Sequence, residues 1–229
     1  SFYLLQQAGI FQNEGDIFTS ANQGNGIRPG DVKFVDVDGN GIINQADRSH
    51  VGSPIPTLTY GLTANAQWRG FDVSLFFQGV SGNSIYYQVA TDIEGFYRAF
   101  NITQRVVEER WRGEGTSNTQ PRVSWRGAAN NKQPSTRFLE SGAYTRLRNA
   151  QIGYTLPTRL SQKIGSTNVR VYLAGQNLLT FTRYPGLDPE QQTSDNVNNE
   201  QFRGDVAVGI DWGTYPTAKT YMLGLNVGF

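Results

Sequence analysis

Long stretches of the chain alternate apolar and polar residues with a period of two. In Thr57–Trp68, Leu58, Tyr60, Leu62, Ala64, Ala66 and Trp68 share one face, and Thr57, Thr59, Gly61, Thr63, Asn65 and Gln67 the other. Successive side chains of a strand point to opposite faces, so this spacing predicts a strand and not a helix. After Arg69-Gly70 the pattern resumes, with Phe71, Val73, Leu75 and Phe77 against Asp72, Ser74 and Gln78, and with Phe76 interrupting the polar face. Two such runs around so short a break predict a hairpin. Ala150, Ile152, Tyr154 and Leu156 alternate in the same way, as do Val169, Val171 and Leu173, while Leu156–Asn168 between them reads as a turn region. At the end, Tyr221, Leu223, Leu225, Val227 and Phe229 face away from Met222, Gly224, Asn226 and Gly228.

The connections between these strands are unequal. Those around Gly70 and Pro157–Thr167 are short, whereas three are long: the segment before Thr57, one of about 60 residues (Ser81–Gly142) and one of about 40 (Thr182–Lys219). Strands of about ten residues, short turns on one side and long loops on the other are the pattern of an outer-membrane barrel. In the second long segment, NITQRVVEERW predicts a short helix with Asn101 as N-cap, Gln104 three residues on, and Ile102, Val106 and Trp111 in one stripe.

A soluble sandwich also alternates, but its outward faces carry Lys, Glu and Arg. The polar faces of Thr57–Gln67 and Met222–Gly228 carry none, and suit a lumen lined by small hydrogen-bonding groups. Trp68, Phe71, Tyr144, Tyr154, Tyr221 and Phe229 fall near strand ends, where an interfacial aromatic girdle is expected. Backbone polar groups in lipid require a closed sheet, and the few strands here do not close one with such loops, so the remainder of the barrel is expected from elsewhere. The chain begins at Ser1 with no secretory leader, which fits a processed or partial chain. A mean hydropathy of -0.46 is compatible with a barrel, because only half of each strand faces lipid.

Composition narrows the chemistry. With 229 residues and a formal net charge of +1, nothing attracts nucleic acid. The absence of Cys excludes disulfides and thiolate sites, and a single His, His50, reads as a polar loop residue. No carboxylate pair or Ser/His/Asp set points to an enzyme. One motif does point to a ligand: DVDGNGIINQAD matches a calcium loop, with Asp36, Asp38, Asn40, Asn44 and Asp47 offering side-chain oxygens, Ile42 its carbonyl, and Gly41 the sharp turn. Asp at the last position resembles dockerin-type loops and, being shorter than Glu, predicts weak affinity. The other reading is an Asx-rich turn capping its own backbone. Asp188 and Glu190 are expected in a solvated turn, and Arg146 and Arg148 on one strand face in an anchoring or ion-pairing role.

Six ordered blocks carry a family resemblance: Ala8–Ile17, Arg28–Arg48, Val51–Tyr86, Tyr144–Pro157, Val169–Glu190 and Tyr215–Phe229. In these the chain resembles the C-terminal part of SusC/RagA-type TonB-linked outer-membrane transporters of Bacteroidetes. The resemblance implies an all-β fold, a transmembrane antiparallel β-barrel of about 22 strands. It also implies a plug upstream, a SusD-like surface lipoprotein as lid, and energy from the TonB complex through an N-terminal part absent from this sequence. The cargo would be an oligosaccharide or peptide, with Phe96, Tyr97, Trp111 and Trp125 as candidate contacts. A periplasmic C-terminus would divide the chain into an extracellular region (1–56, holding the loop 36–47), a hairpin (57–80), an extracellular loop (81–142), a second hairpin (143–180), another extracellular loop (181–219) and a final strand (220–229). The alternatives are a passive porin or adhesin-type barrel and a soluble calcium-dependent binding module.

Overall fold

The residues before the first long hairpin form short paired strands instead of a bare loop. In a computed structural model describing residues 1–95, 101–124, 130–163, 165–190 and 208–229, β1 (Phe2–Leu5) pairs antiparallel with β4 (Arg48–Val51), and β2 (Gln7–Ile10) with β3 (Val32–Phe34). A short helix, α1 (Glu14–Phe18), is capped by the Asn13 side chain accepting from the Asp16 N–H. Leu4 and Leu5 are both buried although neighbours on β1 point to opposite faces. Leu4 packs with Tyr86, Ala90 and Phe138, and Leu5 with Ile10, Val32 and Phe34.

These elements belong to the first of two compact units, which gathers Ser1–Pro54, Ser84–Glu140 and Gln191–Thr214. The segment between the hairpins is accordingly more than a loop. It supplies β7 (Ser84–Tyr87), α2 (Gln88–Glu94), α3 (Gln104–Glu109) and β8 (Leu139–Ser141), and β11 (Ile210–Asp211) joins β7 in parallel. Helix α3 differs from the sequence expectation. Thr103, not Asn101, caps it by accepting from the Val106 N–H, and Trp111 lies beyond its end. Val106 is buried while Ile102 is exposed, because the later start rotates Ile102 out of the stripe. Buried side chains satisfy the backbone of β3: the Val32 N–H donates to Asn131 Oδ1 (2.8 Å) and Asn130 Nδ2 donates to the Val32 carbonyl (2.7 Å).

The second unit gathers Ile55–Asn83, Ser141–Glu190 and Tyr215–Phe229. Its strands are β5 (Leu58–Trp68), β6 (Phe71–Ser81), β9 (Tyr144–Thr155), β10 (Asn168–Thr182) and β12 (Thr220–Gly228), in the antiparallel order β12-β10-β9-β6-β5. The sheet is open: among the described residues β5 and β12 are its edges. Arg69 (φ 48) and Gly70 (φ 87) are both left-handed, the two-residue turn that matches strand twist. A side chain at Gly70 would meet the Thr155 carbonyl at 2.9 Å, so only glycine fits there. The connection expected as a plain turn region holds a helix, α4 (Thr158–Lys163).

Register fixes two contrasting faces. Leu62, Phe77, Leu147 and Leu179 lie in one cross-strand row, and Ala66, Val73, Ile152, Leu173 and Leu223 in another. This face is apolar and bare: Leu62 is 62%, Leu173 52% and Leu223 79% exposed. The opposite face is polar. Across it Asp72 and Arg170 join at 2.5 Å over Gly153, whose register partners are Asp72 on β6 and Tyr172 on β10. A Cβ on Gly153 would lie 2.4 Å from Arg170 Nη2 and 2.6 Å from Asp72 Oδ1. Trp68, Phe71 and Tyr154 meet at one end of the apolar face, with the Phe71 and Tyr154 rings 4.6 Å apart. Tyr144 departs from the girdle expectation. It pairs with Val80 and Thr182 on the other face and is buried.

Candidate functional site

Two clusters of charged side chains stand out, one in each unit. In the first, the loop after β3 is shaped by its own side chains. Asp36 accepts from the Gly39 and Gly41 N–H groups (both 2.8 Å), which sit at left-handed glycines. Asp47 accepts from the Val37 N–H (2.9 Å) and the Asn44 N–H (2.7 Å), closing a capping box on the 3-10 turn Gln45–Asp47. The Asn44 N–H is the main cause holding the Asp47 carboxyl below the usual carboxylate range; burial opposes it, and the Val37 N–H adds to it. Ile43 anchors the loop against the Leu5 cluster.

Asp36, Asp38 and Asp47 each bring a carboxylate oxygen within 4.8 Å of the others. At such spacing each like-charged pair costs about 1 kcal/mol even at the screening of bulk water. A divalent cation would remove that cost, and hard oxygens are the donors calcium takes. The remaining positions of the motif are turned elsewhere. Asn40 Oδ1 accepts from the Ile42 N–H and Asn44 Oδ1 from the Ala46 N–H (both 2.8 Å), and the Ile42 carbonyl accepts from Asn44 Nδ2 (3.3 Å). The three carboxylates are therefore assembled, while the two carboxamides are engaged in Asx turns.

The second cluster lies on the polar face of the five-stranded sheet. A bulge in β9 sets Asn149 opposite Phe76 and Leu147 opposite Phe77, leaving Arg148 as the extra residue. Arg146, 2% exposed, donates to Thr180 Oγ1 (2.9 Å), Thr217 Oγ1 (2.8 Å), Glu190 (2.8 Å) and Asp188 (2.5 Å). Arg148 donates to Gln78, Asn177 and Glu190. The solvated turn expected at Asp188 and Glu190 is corrected: Asp188 is buried, and also accepts from the Thr217 N–H (3.0 Å) and hydroxyl (2.7 Å). Burial pushes the Asp188 carboxyl up, but the N–H groups of Thr217 and Glu190, the Thr217 hydroxyl and Arg146 outweigh it and hold it below the usual range. The signal available in the sequence was the pair of arginines on a strand face, which demands acceptors; the acceptors' identity depends on how the chain after β10 returns.

Trp111 is packed: its Nε1 donates to Gln12 Oε1 (3.2 Å), and a Cβ on Gly30 would lie 2.5 Å from its ring. Phe96, Tyr97 and Trp125 lie outside the described residues. His50 sits on the strand β4 and not in a loop, its ring 5.1 Å from the Tyr3 ring and tilted 47° to it, with Nδ1 2.9 Å from the Ser1 hydroxyl.

No protein-family model matches the chain. It is 37% identical over its whole length to TonB-dependent receptor P3 of Formosa agariphila, and 32% identical over 87% of its length to TonB-dependent receptor P26 of the same organism. It is 26% identical, again over its whole length, to TonB-dependent receptor SusC of Bacteroides thetaiotaomicron. The chain spans only 22%, 20% and 19% of these relatives. Among solved structures, all of it superposes on 23% of a chain of the RagAB peptide transporter at a TM-score of 0.69 and 22% identity. The RagAB peptide importer in its closed-closed state gives the same TM-score at 23% identity.

Proposed function

Because the chain belongs to the SusC/RagA type of TonB-dependent receptors, which are not enzymes, we propose that its five-stranded sheet is part of the wall of an outer-membrane β-barrel that imports nutrients. The carrying observation is the two-sided sheet: an apolar face left bare over five strands, and a polar face with a cross-strand ion pair. Leucines at such exposure are costly in water and favourable against lipid. In this reading the Arg69–Gly70 turn and the Pro157–Thr167 connection are periplasmic, as is the C-terminus, and the three long segments are extracellular. Import draws on TonB, works with a SusD-like lipoprotein, and carries an oligosaccharide or a peptide. Two of the solved relatives are described as a peptide transporter and a peptide importer. The loop 36–47 is a weak calcium site that stiffens the extracellular region; the convergence of Asp36, Asp38 and Asp47 supports it.

The test is uptake of labelled oligosaccharides and peptides by cells with and without the receptor, repeated after TonB depletion. Receptor-dependent uptake lost on depletion is the expected result. Uptake that persists without TonB would replace the active importer with a passive barrel. A receptor that stays in solution without detergent would remove the membrane assignment and favour a soluble module.

A further inference from the structure

One cavity in the second unit belongs to neither cluster. It lies at the end of the sheet where the long segments leave, and its lining takes in Tyr60, Thr145 and Phe181 of the apolar face together with Val80, Tyr144 and Thr182 of the other. Tyr60, Gly79, Thr145 and Phe181 form one cross-strand row over β5, β6, β9 and β10. Gly79 lies under the Tyr60 ring, so the open part of the row is a trough between that ring and Phe181, beside Thr145. The Tyr60 ring leans over Gly79, where a Cβ would come within 2.4 Å of it, and its hydroxyl reaches the Thr145 hydroxyl. Phe181 on the far side is 59% exposed. The hollow measures about 440 Å³, and Ser81, Ala143 and Arg183 line it as well. That is the size of a small-molecule pocket.

Arg183 gives the hollow a direction. It is exposed and forms no ion pair among the described residues. It follows directly on the end of β10, at the rim where a lipid-facing wall meets the headgroups. Aromatic rings favour that level, and an arginine there keeps its head in the polar layer while its stem lies on apolar surface. Its planar fork suits a phosphate. The Ser81 hydroxyl adds a donor, and the lining holds no opposing carboxylate.

We propose that this trough holds one phosphate-bearing, anionic lipid, with its phosphate on Arg183 and an acyl chain laid between Tyr60 and Phe181. The proposal rests on the reading of this sheet as membrane wall. The experiment uses the full-length receptor purified in detergent and placed in nanodiscs of phosphatidylcholine with phosphatidylglycerol, and counts retained lipids by native mass spectrometry. Wild type should retain phosphatidylglycerol over phosphatidylcholine. One cation near an anionic surface is worth about fivefold in occupancy, so Arg183→Gln should lose about that much. Arg183→Lys should keep most of it, Ala143→Trp should lose it by filling the trough, and Arg159→Gln, an exposed cation on α4, should change nothing. Soluble glycerophosphate should not compete, which separates lipid binding from capture of a free phosphate group. Equal retention in wild type and Arg183→Gln, or an equal loss in Arg159→Gln, would overturn the site while leaving the membrane wall intact. Failure of the receptor to enter nanodiscs at all would overturn both.

Discussion

Replacing Arg146 with Ala tests whether the chain after β10 is held to the sheet by charge. The guanidinium is 2% exposed and makes four hydrogen bonds, two of them to carboxylates. Removing one partner of a buried ion pair costs about 3–5 kcal/mol, because the other charge is left uncompensated. Here Asp188 keeps three other donors: the Thr217 N–H, the Thr217 hydroxyl and the Glu190 N–H. Glu190 likewise keeps Arg148. The cost should therefore fall at the low end, about 3 kcal/mol. Denaturant unfolding of the full-length receptor would measure it, in a cycle with Asp188→Ala and the double variant. Groups this close should couple by about 2 kcal/mol, so the double variant should cost much less than the sum. Coupling below about 0.5 kcal/mol, the scatter expected of independent sites, would refute the pairing as the source of the stability.

Other positions give sharper local readouts. Gly153→Ala should displace the Asp72–Arg170 pair, since the new Cβ would stand within 2.6 Å of both side chains; the resulting destabilisation, read by denaturant unfolding, should vanish when Asp72 and Arg170 are both replaced by Ser. Calcium titration by calorimetry should give a binding heat for wild type that Asp36→Ala abolishes, and heats that are equal or absent in both would end the calcium proposal. Asp47 has a folded pKa below its unfolded value of 3.8, so it stabilises the loop fully above that pH, and the contribution fades as the pH falls through the folded value. Pepsin cleavage within 36–47 should accordingly rise below pH 3.8 in wild type, and Asp47→Asn should be cleaved readily on both sides of that pH.

The period-two alternation by itself settled the local structure of the long strands, because burial of one face and not the other is written directly into every second residue. It placed β5, β6 and the tight Arg69-Gly70 turn within a residue or so, and it identified Arg146 and Arg148 as residues in need of acceptors. The spacing of acids and glycines left two readings of 36–47, a calcium loop and an Asx turn that caps its own backbone, and the hydrogen bonds of the second are legible because they are local. Only the tertiary structure decided what depends on contacts distant in sequence. The pairing of Arg146 with Asp188 spans 42 positions, and that of Arg122 with Asp31 spans 91. The gathering of Ser84–Glu140 with Ser1–Pro54 into one unit has no periodic signature either. Tyr144 shows the limit within a single strand. Its place near a strand end suggested a girdle, but the register sets it on the polar face, and register is fixed by the neighbouring strands and the bulge at Arg148.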